Sequence, residues 1–236
     1  MIVAKSLNKF YDNLQVLKNV SININSGEII SIVGASGAGK STLLQILGTL
    51  DRPTILKTEN GTANIEPILE IDSQNVLHLN DSALSKFRNL HLGFIFQFHQ
   101  LLPEFTALEN VCIPAFIANK NKHETDTEAK KLLEYLGLSH RLHHKPAEMS
   151  GGEQQRTAVA RALINKPKIV FADEPSGNLD TTSAENLHNL FFKLRQDFGQ
   201  TFVIVTHNDD FANMADRKLT MVDGSIISDE IKTFNE

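Results

Sequence analysis

The octapeptide Gly34-Ala35-Ser36-Gly37-Ala38-Gly39-Lys40-Ser41 fits the pattern G-x-x-x-x-G-K-[ST] in full. It also stands where the pattern works. An apolar run of strand length, Glu28 to Val33, precedes it, and KSTLLQILGTL follows with Leu43, Leu44, Ile46 and Leu47 at helical spacing. Glycines at these places let successive backbone N–H groups point into one concavity, to which the positive end of the following helix adds its own attraction for phosphate. Lys40 brings a point charge suited to β- and γ-phosphates, and Ser41 a hydroxyl suited to Mg²⁺. The competing reading is a plain glycine-rich turn ahead of a helix.

Such a loop needs an α/β domain around it, and the chain has the material. Its 236 residues suffice for one sizeable domain or two small ones without disulfides or structural metals, and 41% hydrophobic with 22% charged residues excludes disordered and collagenous classes. Against 28 acidic side chains stand 23 basic ones, a net charge of -5, so no general attraction to nucleic acid is expected. One cysteine, Cys112, fits a reducing compartment, and the cytoplasm is the expected one. No run approaches the roughly 20 apolar residues that span a bilayer, and the opening MIVAKSLNKFYDN turns polar too soon for a signal peptide. The chain is therefore expected to be neither inserted nor exported by its own sequence.

Along the chain, β-like runs at Ile2 to Leu7 and Val20 to Ile24 predict an antiparallel layer first. A helix is predicted from Asp81 to Asn89 and a buried strand from Leu92 to Phe96. A helical middle section follows, with Ala129, Leu132, Leu133 and Leu136 on one face and Gly137 as its C-terminal cap. The polar run Asn119 to Lys131 is read as the solvated face and loop of that helix. After Pro167 come a strand over Ile169 to Ala172, a helix over Ser183 to Phe198 and a strand over Thr201 to Thr206. Lys218 to Ser228, split by Asp223-Gly224, predicts a closing hairpin. Alternating strands and helices imply a parallel sheet with right-handed crossovers.

A metal-holding carboxylate belongs at the C-terminal end of a buried strand near the phosphate loop, and Asp173 ends one. Glu174 follows at once and could polarise water for attack on a γ-phosphate. An isolated acidic pair there would otherwise read as a loop start or helix cap. Ser150-Gly151-Gly152-Glu153, before a helix from Gln154 to Asn165, is a second glycine-rich helix start with no lysine or metal ligand of its own. It reads either as an N-cap or as half of an anion site. Among the histidines, His207 ends a buried strand, whereas His140, His143 and His144 lack a fourth ligand at metal spacing and read as a polar loop.

These stations, taken in order, resemble those of the ATP-binding-cassette (ABC) ATPases across nearly the whole chain. MSGGEQQR resembles the family's LSGGQ signature. Tyr11 is placed like the aromatic that stacks on adenine, Gln97 like the Q-loop glutamine, Ser176-Gly177-Asn178-Leu179-Asp180 like the D-loop, and His207 like the switch histidine. For Tyr11, an ordinary strand-end aromatic remains the other reading. The resemblance implies a P-loop, RecA-like α/β core with an antiparallel β subdomain over residues 1–97 and 165–236, and a helical subdomain over 98–164. It implies that ATP is held by Gly34, Ala35, Ser36, Gly37, Ala38, Gly39, Lys40, Ser41, Thr42, Tyr11 and Gln97. Mg²⁺ falls to Ser41, Gln97 and Asp173, and chemistry to Lys40, Glu174 and His207. Two chains would then form a homodimer around two ATPs, each completing the other's phosphate site with Ser150, Gly151, Gly152 and the D-loop Asp180.

Within the family, FQFHQLLPEFTALENV, HHKPAEMSGGEQQRTAVARAL and ADEPSGNLD are most similar to the lipoprotein-releasing type, with macrolide-export and cell-division types next. A soluble, non-transport ABC ATPase and a P-loop kinase are the readings of other classes. The type implies an integral membrane permease on a separate chain, docking at the Gln97 to Phe105 region, where Phe98, Leu101, Leu102, Pro103 and Phe105 cluster, and a place on the cytoplasmic face of the inner membrane. No nucleic-acid partner is expected. The sequence departs from the family at Met149 and Glu153 of the signature, though Glu also occurs there in the lipoprotein-releasing group. PTILKTEN, Pro53 to Asn60, is longer than the family's turn.

Overall fold

A computed structural model describes residues 1–57 and 64–232, so residues 58–60 of the PTILKTEN stretch lie outside the described residues. In chain order the elements are β1 (Ile2–Tyr11), β2 (Leu14–Ile24), β3 (Ile29–Val33), α1 (Lys40–Leu47), β4 (Leu56–Lys57), β5 (Asn64–Ile65), β6 (Ile68–Ile71), β7 (Gln74–Asn75), α2 (Asp81–His91) and β8 (Leu92–Phe96). They continue with α3 (Ala107–Ile117), α4 (Lys122–Tyr135), α5 (Gly151–Leu163), β9 (Ile169–Asp173), α6 (Thr181–Phe198), β10 (Thr201–Val205), α7 (Asp209–Met214), β11 (Arg217–Val222) and β12 (Ser225–Ile231). Two compact units result, one from the described residues of Met1–Leu84 and from Val203 onward, the other from Ser85–Phe202. The helical segment expected over 98–164 falls within the second.

The first unit carries the predicted antiparallel layer, in strand order β2-β1-β6-β7. Its first two strands run longer than their apolar runs suggest, because the ladder continues through bulges to a two-residue turn between Tyr11 and Leu14. Polar Asn8 makes this possible: its buried Oδ1 accepts from Asn19 N at 2.9 Å and from Gln15 Nε2 at 3.2 Å, repairing the interrupted pairing from within. The unit's second set of strands follows the order β12-β11-β3-β10. All five residues of β3 are buried, as expected of a strand covered on both faces. The predicted closing hairpin is present, antiparallel between β11 and β12, and β11 runs parallel to β3. Arg217 staples that hairpin with paired 2.6 Å bonds from its guanidinium to Asp229.

In the second unit β8 and β9 pair in parallel, with Phe96 opposite Asp173, so both strands end level. Gly93 keeps them close to α5: a Cβ there would stand 2.7 Å from Ala162 O. The helix α3 was not resolved by apolar periodicity, which its near-uniform hydrophobicity hides. Its readable signal is the capping box Thr106-x-x-Glu109, which the structure forms in both directions. Pro114 lies inside α3, and its carbonyl accepts side-chain bonds from Asn89 Nδ2 at 3.1 Å and from Asn165 Nδ2 at 3.0 Å, which tie the helix to its neighbours. The polar run from Asn119 is helix from Lys122 onward, capped by Asn121, with Thr125 and Ala129 inward. The signature helix begins at Gly151, earlier than its apolar stripe indicates, since Ser150 caps it. Burial and the nearby Asp126 carboxylate push the Cys112 thiol up to about 12, which leaves it inert.

Candidate functional site

In the first unit the phosphate loop is shaped by glycines that nothing else could replace cheaply. Gly34, Gly37 and Gly39 hold φ of 148°, 81° and 95°. A Cβ at Gly34 would meet Met221 O at 2.2 Å, and one at Gly39 would meet Val16 O at 2.8 Å. The hairpin turn closes over the loop from the other side, as Gly224 N donates to Ala38 O at 3.1 Å and Lys18 N to Gly224 O at 2.8 Å. Sequence marks Gly224 only as a hairpin turn and does not single out Met221 or Val16, because what makes them important to the loop is the strand that arrives beside them.

Lys40 is buried, and its ammonium donates to Gly34 O at 2.9 Å and Ala35 O at 3.0 Å, so the loop is drawn into its concave form. The helix behind it, α1, starts at Gly39 with no side-chain cap and no acid in its first turn. The other described α-helices begin on a side-chain oxygen: Asn80, Thr106, Asn121, Ser150, Asp180 and Asn208 each accept from an early helix amide. A helix start with its donors turned into a glycine nest beside a lysine suits a polyphosphate. Ser41 lies in the first turn of that helix and Thr42 follows it.

Tyr11 and His207 belong to the same unit. Tyr11 closes β1, is 44% exposed, and donates its hydroxyl to Asp51 Oδ2 at 2.9 Å. Burial raises its pKa first, the Asp51 contact second, while a bond from Thr42 opposes them. Lys9 stands 4.9 Å from its ring centroid and bonds Asp51 at 2.6 Å, so the ring has a cationic neighbour and a fixed tilt. His207 follows Thr206, whose amide bonds Ile32 O at 3.2 Å, next to the end of the strand that feeds the loop. Thr206 Oγ1 accepts from Asn208 N at 3.0 Å, and Asn208 in turn caps α7, which fixes where His207 projects from the chain.

The second unit carries the remaining nominated residues, and three of them stand at the level ends of β8 and β9. Asp173 ends β9, Glu174 follows with φ of 46°, and Gln97 follows β8. A positive φ at a glutamate costs on the order of 1–3 kcal/mol and is retained where the fold over-determines it. The following turn is closed by Gly177 N to Glu174 O at 3.0 Å and Leu179 N to Ser176 O at 3.1 Å, and Asp180 then caps α6 through Ser183 N. Asp180 and its bonds to Ser183 hold its carboxyl below the usual range. Gln97 Nε2 donates to Asn178 Oδ1 at 3.2 Å.

The Ser150 start of α5 is a complete capping box. Ser150 Oγ accepts from Glu153 N at 3.3 Å and Glu153 Oε2 from Ser150 N at 2.8 Å. Glu153 Oε1 also accepts from Arg141 Nε at 2.8 Å, with His140 Nε2 3.5 Å away. The Ser150 backbone bond and Arg141 together bring the Glu153 carboxyl down to about 2. Gly152 sits against Ser183 of α6, where a Cβ would come 3.1 Å from Ser183 Oγ. Gln155, fully buried, donates to Phe96 O at 3.4 Å and ties this helix to the end of β8.

Residues 98–105 form an apolar rim fixed from beneath. Buried Asn110 donates to Leu102 O, Phe105 O and Thr106 O at 3.0–3.1 Å and accepts from Leu102 N at 2.8 Å. Arg161 donates to His99 O and Gln100 O. Phe98, Leu102 and Phe105 remain 70%, 45% and 42% exposed on this pinned segment. Sequence does not single out Asn110, Gln155 or Arg161, since nothing in an isolated polar side chain says which remote carbonyl it will reach.

The nominated donors Ser41, Gln97 and Asp173 are hard oxygen ligands of the kind Mg²⁺ takes, and the nest with Lys40 matches a triphosphate, so the residues present fit both groups. Among the described residues no helix is long and apolar enough to cross a membrane. Residues 17–177 match the family described as ABC transporter. The chain is 58% identical over 219 residues to the lipoprotein-releasing system ATP-binding protein LolD of Cytophaga hutchinsonii, covering 93% of this chain and 95% of that protein. It is 56% identical over 227 residues to the LolD protein of Bacteroides fragilis, covering 96% and 100%. Among solved structures, the dimeric bacterial ABC transporter cassette MJ0796 superposes with a TM-score of 0.86 at 38% identity, over 99% of this chain and 100% of that one. A post-hydrolysis dimer of the same cassette, bound to ADP and Pi, gives 0.85 at 37% identity over 99% and 100%. With its phosphate loop, signature and fold all of that kind, the chain belongs to the ABC transporter family, in the group of lipoprotein-releasing system ATP-binding proteins.

Proposed function

We propose that this chain is the ATP-binding and ATP-hydrolysing subunit of an ABC transporter that drives lipoprotein release from the inner membrane through a separate permease. The observation that carries the reading is the uncapped start of α1 behind the Gly34–Gly39 nest, with Lys40 already drawn across it. Relatives of the lipoprotein-releasing kind favour this over the macrolide-export, cell-division and soluble alternatives.

The roles follow from chemistry. Lys40 and the loop amides bind the phosphates, and Tyr11 offers a ring face to adenine. Ser41, Asp173 and Gln97 would hold Mg²⁺, which when bound neutralises phosphate charge. Glu174 takes the proton from the attacking water, and His207 orients that water against the γ-phosphate. Ser150, Gly151 and Gly152 at the start of α5 have no lysine or metal ligand of their own and complete the phosphate site of a second copy, with Asp180 beside them. Gln97 passes site occupancy to the Phe98–Phe105 rim, against which the permease docks from the cytoplasmic face of the membrane. The core with its β subdomain spans 1–97 and 165–236, and the helical subdomain 98–164.

The test is the pair Glu174→Gln and Lys40→Ala. The first is expected to accumulate as an ATP-bound dimer in light scattering and the second to bind no nucleotide. Multiple turnover by the Glu174→Gln protein at the parent's rate removes Glu174 as the base.

A further inference from the structure

The carboxamide of Gln97 is held by bonds that also decide which way it faces. Asn178 Nδ2 donates to the main-chain oxygen of Gln97 at 3.3 Å, and Gln97 Nε2 donates to Asn178 Oδ1 at 3.2 Å. A main-chain carbonyl can only accept, so it fixes the Asn178 amide with its NH2 group toward that oxygen. Oδ1 is then the atom left for the Gln97 side chain, which must answer with its own NH2. Gln97 Oε1, the atom of this side chain able to ligate a cation, is thereby kept out of the pair. Gly177 supplies the floor. A Cβ there would stand 2.9 Å from Gln97 Nε2 and 3.3 Å from Cδ, so the carboxamide lies directly on the glycine.

The turn that carries Asn178 is braced on both sides. Ser176 Oγ lies 3.0 Å from Nε2 of the buried His188 on α6, and Asp180 Oδ1 accepts from Ser183 N at 3.0 Å. Asn178 therefore reaches Gln97 from a fixed backbone, with little entropy left to lose.

We propose that Asn178, with Gly177 beneath, is a positioning residue that sets the orientation of the Gln97 carboxamide and through it the affinity of the site for its divalent cation. The proposal rests on the nucleotide reading above. Without Asn178 the two orientations of the carboxamide compete, and one of them turns an NH2 group toward the cation. Removing an outer partner of a metal ligand costs about 10- to 100-fold in metal affinity.

The experiment uses the full chain carrying Glu174→Gln, so that bound ATP is retained, with Asn178→Ala or Gly177→Ala added. Because the clash in Gly177→Ala is with the end of a flexible side chain, that variant moves the carboxamide rather than the fold. The Gln97 side-chain NH2 resonances, assigned by their loss in Gln97→Glu, are expected to move to solvent-like positions in both variants while the remaining backbone spectrum stays put. Mg²⁺ titration of the ATP-loaded protein is expected to show affinity lowered about tenfold or more, with ATP binding in the absence of Mg²⁺ unchanged. Unmoved Gln97 resonances in either variant, or Mg²⁺ affinity equal to the parent's, overturns the proposal. Failure of the parent to bind ATP at all overturns the nucleotide reading instead, and the cation part of the proposal with it.

Discussion

Replacing Glu153 by Gln isolates what a charge at the signature helix contributes. The carboxylate accepts from Ser150 N and Arg141 Nε, both at 2.8 Å, and its side chain is 12% exposed. Its pKa falls from 4.5 to about 2, the Ser150 backbone bond acting first. At about 1.4 kcal/mol for each pH unit between the two values, the ionised form gains about 3 kcal/mol on folding. Arg141 is 30% exposed, and solvent screening around it reduces the expected figure to about 2 kcal/mol. Because the folded-state pKa is depressed, this stability is fully present above the unfolded value of 4.5 and is lost as pH falls through about 2. Glutamine keeps the shape and a neutral acceptor but has no such pH dependence. Urea unfolding of the parent and Glu153→Gln at pH 7 is therefore expected to differ by about 1 M in midpoint. The gap should shrink to well under half at pH 3. A gap of the same size at both pH values, or none at pH 7, refutes the reasoning.

Two further substitutions separate packing from partner binding. Gly34→Ala places a Cβ 2.2 Å from the Met221 carbonyl, whereas Gly37→Ala meets nothing within 4 Å. Thermal unfolding should fall by about 10 °C for the first and only a few degrees for the second, and equal losses would show that the β11 contact does not constrain the loop. Phe98→Asp with Leu102→Asp changes exposed side chains, so stability should shift by less than about 0.5 kcal/mol while salt-resistant co-purification with the membrane partner is lost. Unchanged recovery of the partner excludes this rim as the docking surface.

Much of the fold was legible because it is written in neighbouring residues. The strand from Leu92 to Phe96 and the strand ending at Asp173 are short apolar runs whose burial needs no distant information. The closing hairpin announced itself through Asp223-Gly224, and most of α6 through the apolar face of Leu187, Phe191 and Leu194. Where periodicity failed, long-range compensation was at work. The β1–β2 ladder runs on through polar positions because Asn8 reaches residues 7 and 11 places away, and α3 hides its period by being apolar nearly all round.

The candidate site divides along the same line. Sequence by itself determined the glycine nest, Lys40, the Ser150 glycine-rich helix start and the acidic pair after β9, since each depends on backbone geometry within a few consecutive residues. Tertiary structure alone decided that Gly34 must be bare against Met221, that Gly224 latches Ala38, and that Asn178 holds Gln97 across 81 positions of chain. Those contacts arise from which strand ends and turns arrive side by side. A hydrogen bond or a methyl group's worth of space reads only distance, and distance between remote residues is fixed by the packed core.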